Sequence, residues 1–193
     1  MHMKRHGEFD LYHLSDPGEL NGLAQSFAEA YCTIFSGAPY FEAHTPEHAL
    51  ARFDSLVTIP DQISIVARRG KDLAGFAIAV PLVSQPVVAQ ELSGLLPVSH
   101  TYYLAELGVL PTHRGAGLGR SLVQERIRRM DTSRYSHVVL RVAASRNASY
   151  EMYRAMGFDD MGVTMSVSTQ RIDGEVRSDR RLFLSRMISQ VDL

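Results

Sequence analysis

The stretch Leu107-Gly-Val-Leu-Pro-Thr-His-Arg-Gly-Ala-Gly-Leu-Gly-Arg120 carries glycine at 115, 117 and 119, between two segments of opposite periodicity. Upstream, residues 101–110 are rich in aromatic and branched side chains and read as a strand broken by Pro111. Downstream, apolar residues at 118, 122, 123, 127 and 130 fall on one face at helical spacing. Glycines allow main-chain N–H groups to turn toward one point, and a helix start adds its own unpaired N–H groups. Reinforced by the helix dipole, such a nest suits a phosphate or pyrophosphate, and Arg114 and Arg120 flank it with positive charge. A merely tight strand-to-helix connection would need neither three alternating glycines nor two arginines.

The kind of anion is narrowed by what is missing. A nucleoside-triphosphate loop requires G-x-x-x-x-G-K-[ST], and no such lysine and hydroxyl follow here. A dinucleotide fold requires G-x-G-x-x-G and a carboxylate at the end of the next strand. Here the spacing is G-x-G-x-G, and the next strand ends in Val142-Ala143-Ala144-Ser145.

Working outward, residues 8–14 alternate weakly and suggest a first strand. Asp16-Pro17 and Thr45-Pro46 each place a capping side chain before a proline at the first helical position, opening helices to about Phe35 and Val57. Two β runs, 62–69 and 73–83, flank Gly70-Lys71-Asp72 as a hairpin. Residues 84–100, with Pro86, Gly94 and Pro97, look like an insertion. The run 136–143 is nearly all apolar, as a buried parallel strand should be, and a short helix over 148–156 ends at Gly157. Strands near 160–170 and 176–187 close the order, joined by a turn at 172–175. These elements predict one α+β domain over 1–193, with a core from about 8 to 187 built on a mixed sheet flanked by helices.

The 193 residues carry a net charge of −1, so bulk electrostatics give no reason to expect a nucleic-acid partner. A lone cysteine, Cys32, allows no internal disulfide and fits a reducing compartment. No apolar run approaches the length of a membrane span, and no charged leader with an apolar core opens the chain. A cytoplasmic protein without membrane contact is the expectation. His44-Thr-Pro-Glu-His48 spells a zinc-peptidase pattern, but a helix starting at Pro46 leaves His44 outside it, so no metal is expected.

Arg114-Gly-Ala-Gly117-Leu-Gly119 matches R-x-x-G-x-G, and Asn147-Ala-Ser-Tyr-Glu-Met-Tyr153-Arg-Ala-Met-Gly157-Phe158 matches N-x-x-x-x-x-Y-x-x-x-G-F. In this order, with one helix and one strand between them, they resemble the hallmarks of the GCN5-related N-acetyltransferase (GNAT) family. The resemblance implies a mostly antiparallel sheet with one parallel strand pair at the cofactor cleft, and acetyl-CoA as acyl donor. Residues 114–120, namely Arg114, Gly115, Ala116, Gly117, Leu118, Gly119 and Arg120, would then hold the pyrophosphate. Main-chain groups of Leu107 and Val109 would bond the pantetheine arm. Asn147 would either contact that arm or only cap the short helix.

Acyl transfer to an amine also needs a base and a proton donor for the thiolate. Tyr153 is expected in the second role by its place in the motif, since a phenol with an ordinary pKa near 10 stays protonated at neutral pH. The alternative is an aromatic packed on a helix face beside Tyr150. Glu106, a carboxylate inside an apolar strand, is either the base or one half of a cross-strand ion pair with Arg141. A water chain could replace it. Tyr40, Glu42 and Glu91 are the acceptor-pocket candidates, and an acidic rim would suit a small cationic amine such as an aminoglycoside. Two alternatives stay open: a protein or peptide N-acetyltransferase, and a non-catalytic acyl-CoA sensor on the same fold. The late strands could pair between subunits, which makes a homodimer a candidate assembly.

Overall fold

A computed structural model describes residues 2–189. The strands are β1 (His2–His6), β2 (Phe9–Leu14), β3 (Ile63–Arg69), β4 (Asp72–Pro81), β5 (Thr101–Val109), β6 (His137–Ala143), β7 (Asp159–Gln170) and β8 (Val176–Met187). The helices are α1 (Pro17–Ser36), α2 (Pro46–Val57), α3 (Pro86–Glu91), α4 (Leu118–Ile127) and α5 (Ala148–Arg154). Both predicted caps are in place. The Asp16 carboxylate accepts from the N–H groups of Gly18 and Glu19 at 2.8 and 3.2 Å, and Thr45 Oγ1 accepts from His48 N at 3.3 Å. His44 accordingly lies outside α2, as its cap requires.

All eight strands form one sheet in the order β1-β2-β3-β4-β5-β6-β8-β7, antiparallel except for β5 and β6. The mixed α+β sheet with one parallel pair is therefore as expected. One strand more than expected precedes the glycine turn, because residues 2–6 pair antiparallel with β2. Their sequence, His-Met-Lys-Arg-His, has no apolar alternation, so an edge strand carried by main-chain bonds gives periodicity nothing to detect.

Two apolar clusters sandwich the sheet. One joins α4 and α5 to its face through Leu118, Leu122, Val123, Tyr150, Tyr153 and Phe158. The other packs α1 and α2 on the opposite face through Leu23, Phe27, Phe53 and Leu56. Residues 84–100 form α3 between short 3₁₀ turns and seat Val88 and Leu92 in the second cluster. That stretch is packed against the core, and none of its residues lines the cavities described below.

The sheet opens where the site lies. β5 pairs with β6 only from Thr101 to Tyr103, against His137 to Val139, and beyond that the two strands have no mutual ladder. On its other edge β5 spends four residues, 103 to 106, against three of β4, 78 to 80, a β-bulge that bends the strand. The splay leaves the β6-facing edge of Leu107 to Val109 free of a strand partner.

Candidate active site

At this opening β5 gives way to a 3₁₀ turn, Pro111–His113, and then to the glycine turn and α4. Gly115 and Gly117 adopt φ of 84° and 75°, where a side chain would strain the chain. Gly117 is the N-cap residue of α4 and no side chain caps that helix start. Its first-turn N–H groups and the positive dipole end face outward, ready for an acceptor that the fold itself does not provide.

A cavity of about 580 Å³ lies in front of them. Its walls include Leu107 and Val109 from β5, Arg114, Gly115, Gly117, Leu118, Gly119 and Arg120 from the turn, and Asn147 at the start of α5. Tyr40 and Met152 close it from the facing side. Ala116 is the one residue predicted for the turn that does not line it, because its carbonyl points away to accept from His6 Nε2 at 2.7 Å. With that nitrogen donating, His6 Nδ1 accepts the Ser121 hydroxyl at 2.9 Å. Thus β1 clasps the turn and the first turn of α4 through one imidazole. Nothing in the pattern of residues 2–6 signals this role.

Asn147 caps α5 at the edge of the cavity. Its Oδ1 accepts from Ser149 N at 3.0 Å and Tyr150 N at 3.2 Å, capping α5, while the residue also borders the cavity. Arg114 turns partly inward, donating from Nε to Val109 O at 3.2 Å. Arg120 stays exposed at the rim.

Gly119 gives the test of fit for a pyrophosphate. Its φ is ordinary, and a Cβ there would meet only Met152 Sδ at 3.6 Å and Val109 Cγ2 at 3.8 Å, normal contact distances. The protein alone would accept alanine at 119. Both contact residues line the cavity, so the space such a Cβ would fill is the space in front of the N–H groups. An uncapped helix start, two arginines and a bare approach to the backbone together fit the diphosphate of coenzyme A.

Neither expected catalytic side chain stands on the wall of this cavity. Glu106 is buried on β5, and its partner is Arg52 of α2, whose Nε lies 2.7 Å from Oε1. The expected pair with Arg141 does not form. Arg141 instead donates to the Tyr103 hydroxyl at 2.8 Å, because β6 has already diverged from β5 at the level of Glu106. Burial opposes the charge of Arg52, but the Glu106 carboxylate outweighs it and raises the guanidinium's pKa.

Tyr153 is buried in α5 with its ring edge-on to Phe158 at 5.3 Å. Burial pushes its phenol up despite the opposing charge of Arg126, so it is protonated at neutral pH. Arg126 is fully buried. Its Nη1 donates to Ile78 O at 3.0 Å and Glu106 O at 2.8 Å, tying α4 to the sheet just before the bulge. Its Nε and Nη2 meet no partner with hydrogen-bond geometry, the neighbouring Tyr153 included. The signal for Arg126 was present in the sequence: 118, 122 and 126 repeat every four residues, which puts an arginine on the apolar stripe.

The acceptor side differs from an acidic rim. Glu42 is buried, with Oε1 2.6 Å from Arg181 and Oε2 2.9 Å from His44, so its charge is neutralised rather than presented. Glu91 is exposed at the end of α3 and lines none of the described cavities. Tyr40 does stand at the site, and it lines both the large cavity and a smaller one beside it. Its phenol is pushed up by burial, against the pull of Arg181, whose guanidinium lies 5.7 Å from the ring centre. Among the described residues no group of three or more His, Cys, Asp and Glu side chains is placed to hold a metal. No described helix is long and apolar enough to cross a membrane.

Residues 25–158 match the model of the acetyltransferase (GNAT) family, a span that includes both motifs and every residue lining the donor cavity. The chain belongs to the acetyltransferase (GNAT) family. It is 30% identical over 113 residues to the N-alpha-acetyltransferase RimI of Mycobacterium tuberculosis, covering 58% of this chain and 62% of that protein's length. The fold is shared with a ribosomal-protein-alanine N-acetyltransferase from Brucella melitensis, at a TM-score of 0.65 and 19% identity, over 92% of this chain and 99% of that one. It is also shared with yncA of Salmonella typhimurium, solved with its cofactor acetyl-CoA, at a TM-score of 0.64 and 15% identity over 93% and 95% of the two chains. The GNAT family and the acetyl-CoA donor are those that the two motifs implied.

Proposed function

We propose that this protein is an acetyl-CoA-dependent N-acetyltransferase whose acceptor is the N-terminal amine of a protein or peptide. The observation that carries the donor half is the uncapped start of α4 facing a cavity walled by Arg114, Arg120 and the glycine turn. The acceptor half is supported by the protein-directed activities named for the Mycobacterium tuberculosis and Brucella melitensis proteins. It is supported also by Glu42, whose ion pairs remove the acidic rim that a small polycationic amine would want. An antibiotic-modifying role has no such support.

Bound acetyl-CoA supplies the acetyl group as a thioester. Glu106 is assigned the amine's proton: Arg52 fixes the carboxylate through Oε1 and leaves Oε2 to accept. Tyr153 is assigned the proton delivered to the departing thiolate, being protonated at neutral pH and beside the unpartnered Nε and Nη2 of Arg126. As the proton leaves, that guanidinium offsets the charge developing on the phenolic oxygen, an effect strengthened by burial.

The test is thiol release from acetyl-CoA in the presence of peptides with free N-termini, the same peptides with blocked N-termini, and a panel of aminoglycosides and polyamines. Turnover with free N-termini alone is expected. Turnover with the antibiotics or polyamines and not with peptides would overturn the acceptor assignment, and no response to coenzyme A in calorimetry would overturn the donor assignment.

A further inference from the structure

The two edges of the sheet are built differently. β1, at one edge, is five residues long, shifts register between His2 and Lys4, and carries the charges of Lys4 and Arg5. Short length, irregular pairing and charge are the ordinary means by which an edge keeps another strand away. β7, at the other edge, runs for twelve residues, and its charges, Asp159 and Asp160, both lie before a bulge between Asp160 and Thr164. Residues 163–169, Val-Thr-Met-Ser-Val-Ser-Thr, hold no charge, proline or glycine.

The main chain of this stretch is free on its outer side. Ala144 N donates to Arg180 O at 3.1 Å, so the main chain of Arg180 faces β6. Its partner in the ladder, Ser166, therefore turns its own N–H and C=O away from β8. Gln170 has the same orientation, since its carbonyl accepts from Ala43 N at 2.8 Å beyond the edge. Alternation then puts the N–H and C=O groups of Thr164, Ser166 and Ser168 outward together. Among the described residues, no main-chain group takes them up. The window they form is bounded on one side by the bulge. On the other it ends at the loop 41–43, which bonds to Gln170 O and Ile172 N.

We propose that this edge pairs with a second copy of the chain, β7 against β7, antiparallel about a two-fold axis at Ser166. That register sets Ser166 opposite its own copy and Thr164 opposite Ser168 of the partner subunit. It joins all three outward residues, with two bonds in each facing pair and about six in all, within the span of about 5 to 15 found at protein interfaces. On one face it sets hydroxyls against hydroxyls. On the other, Met165 meets Val167 of the partner subunit, twice about the axis, in the closer non-hydrogen-bonded position. Gln170, covered by the loop, falls opposite Gly162 of the partner subunit, inside the bulge, where the chain already bends.

Charge does not oppose this pairing. The chain's net charge is only −1. The neighbouring charges of β8 are paired within each copy, Arg181 with Glu42, Asp179 with Arg171 and Arg177 with Asp173. Arg180 and its copy lie three strand spacings apart, about 14 Å, beyond the Debye length of about 8 Å at physiological salt.

Sedimentation equilibrium of the full chain reads the assembly. A dimer, twice 21.5 kDa, is expected, and a monomer at every concentration would overturn the proposal. Ser166→Lys sets like charges opposite each other on the axis and should weaken the dimer by about tenfold. Ser166 is exposed in the single copy, so the Tm of the dilute monomer should not move. A dimer undisturbed by Ser166→Lys would equally overturn the proposal. The register has its own test. Facing Cα atoms in a hydrogen-bonded pair are about 5.5 Å apart, a separation that a disulfide spans. Ser168 and its copy are offset along the strands by roughly 14 Å, which a disulfide does not span. Mild oxidation should therefore link Ser166→Cys into a covalent dimer on non-reducing gels and leave Ser168→Cys unlinked. The unmodified protein, whose one thiol is Cys32, sets the baseline. Any other pattern of linking refutes a two-fold axis at Ser166.

Discussion

Replacing Gly119 with alanine separates what the fold needs from what the donor needs. The residue is the second of α4, with ordinary helical backbone and room for a Cβ. Alanine is favoured over glycine in a helix by about 0.5–1 kcal/mol. For a chain of this size the substitution should raise Tm by about 1–4 °C. The added methyl group occupies the space between Met152 and Val109 in front of the helix N–H groups. If it denies the diphosphate one charge-assisted hydrogen bond, about 1.5–3 kcal/mol is lost, a rise of about 10- to 100-fold in Kd for coenzyme A. Thermal scans without ligand and calorimetry with coenzyme A read the two effects separately. Gly117→Ala is the control, since a φ of 75° there costs alanine about 1–2 kcal/mol and Tm should fall. A Gly119→Ala protein that binds coenzyme A as tightly as the unmodified one would refute the placement of the diphosphate against this turn.

Three further outcomes are expected. Tyr153→Phe should lower kcat by about 10²–10⁴-fold while shifting donor affinity far less, and Tyr40→Phe serves as the comparison because Tyr40 lines the cavity; equal kcat for Tyr153→Phe and the unmodified protein removes Tyr153 from the chemistry. His6→Ala, which deletes the bonds to Ala116 and Ser121, should weaken coenzyme A binding by about fivefold, one ordinary hydrogen bond, in calorimetry. For Glu42, burial pushes the carboxyl up, but the His44 hydrogen bond and the Arg181 charge outweigh it, so the folded pKa lies below the ordinary value. A group depressed in this way stabilises the fold above its unfolded pKa and loses that contribution as pH falls through the folded one. Glu42→Gln should therefore flatten the fall in Tm between about pH 5 and pH 3, and an unchanged acid limb would count against the ion pair.

What could be read without coordinates was whatever depends on neighbours in sequence. The glycine turn, the Asp16 and Thr45 caps and the helical stripe of α4 are local patterns, and each appears where its residues predict. Charge partners are not local. Arg181 meets Glu42 across 139 residues and Arg52 meets Glu106 across 54, separations at which no periodicity selects one arginine among many. The pairing of Glu106 with Arg141 failed for a related reason: it assumed that β5 and β6 stay in register, whereas they part after Tyr103. β1 was invisible because main-chain bonding at a sheet edge asks nothing of side-chain order.

Tyr40 stands as a party wall, one residue bordering two adjoining cavities. Altering it remodels both rooms, so a change at position 40 reaches beyond the donor cavity. Conversely, coenzyme A that settles on one side and stiffens the ring would steady a wall of the cavity on the other.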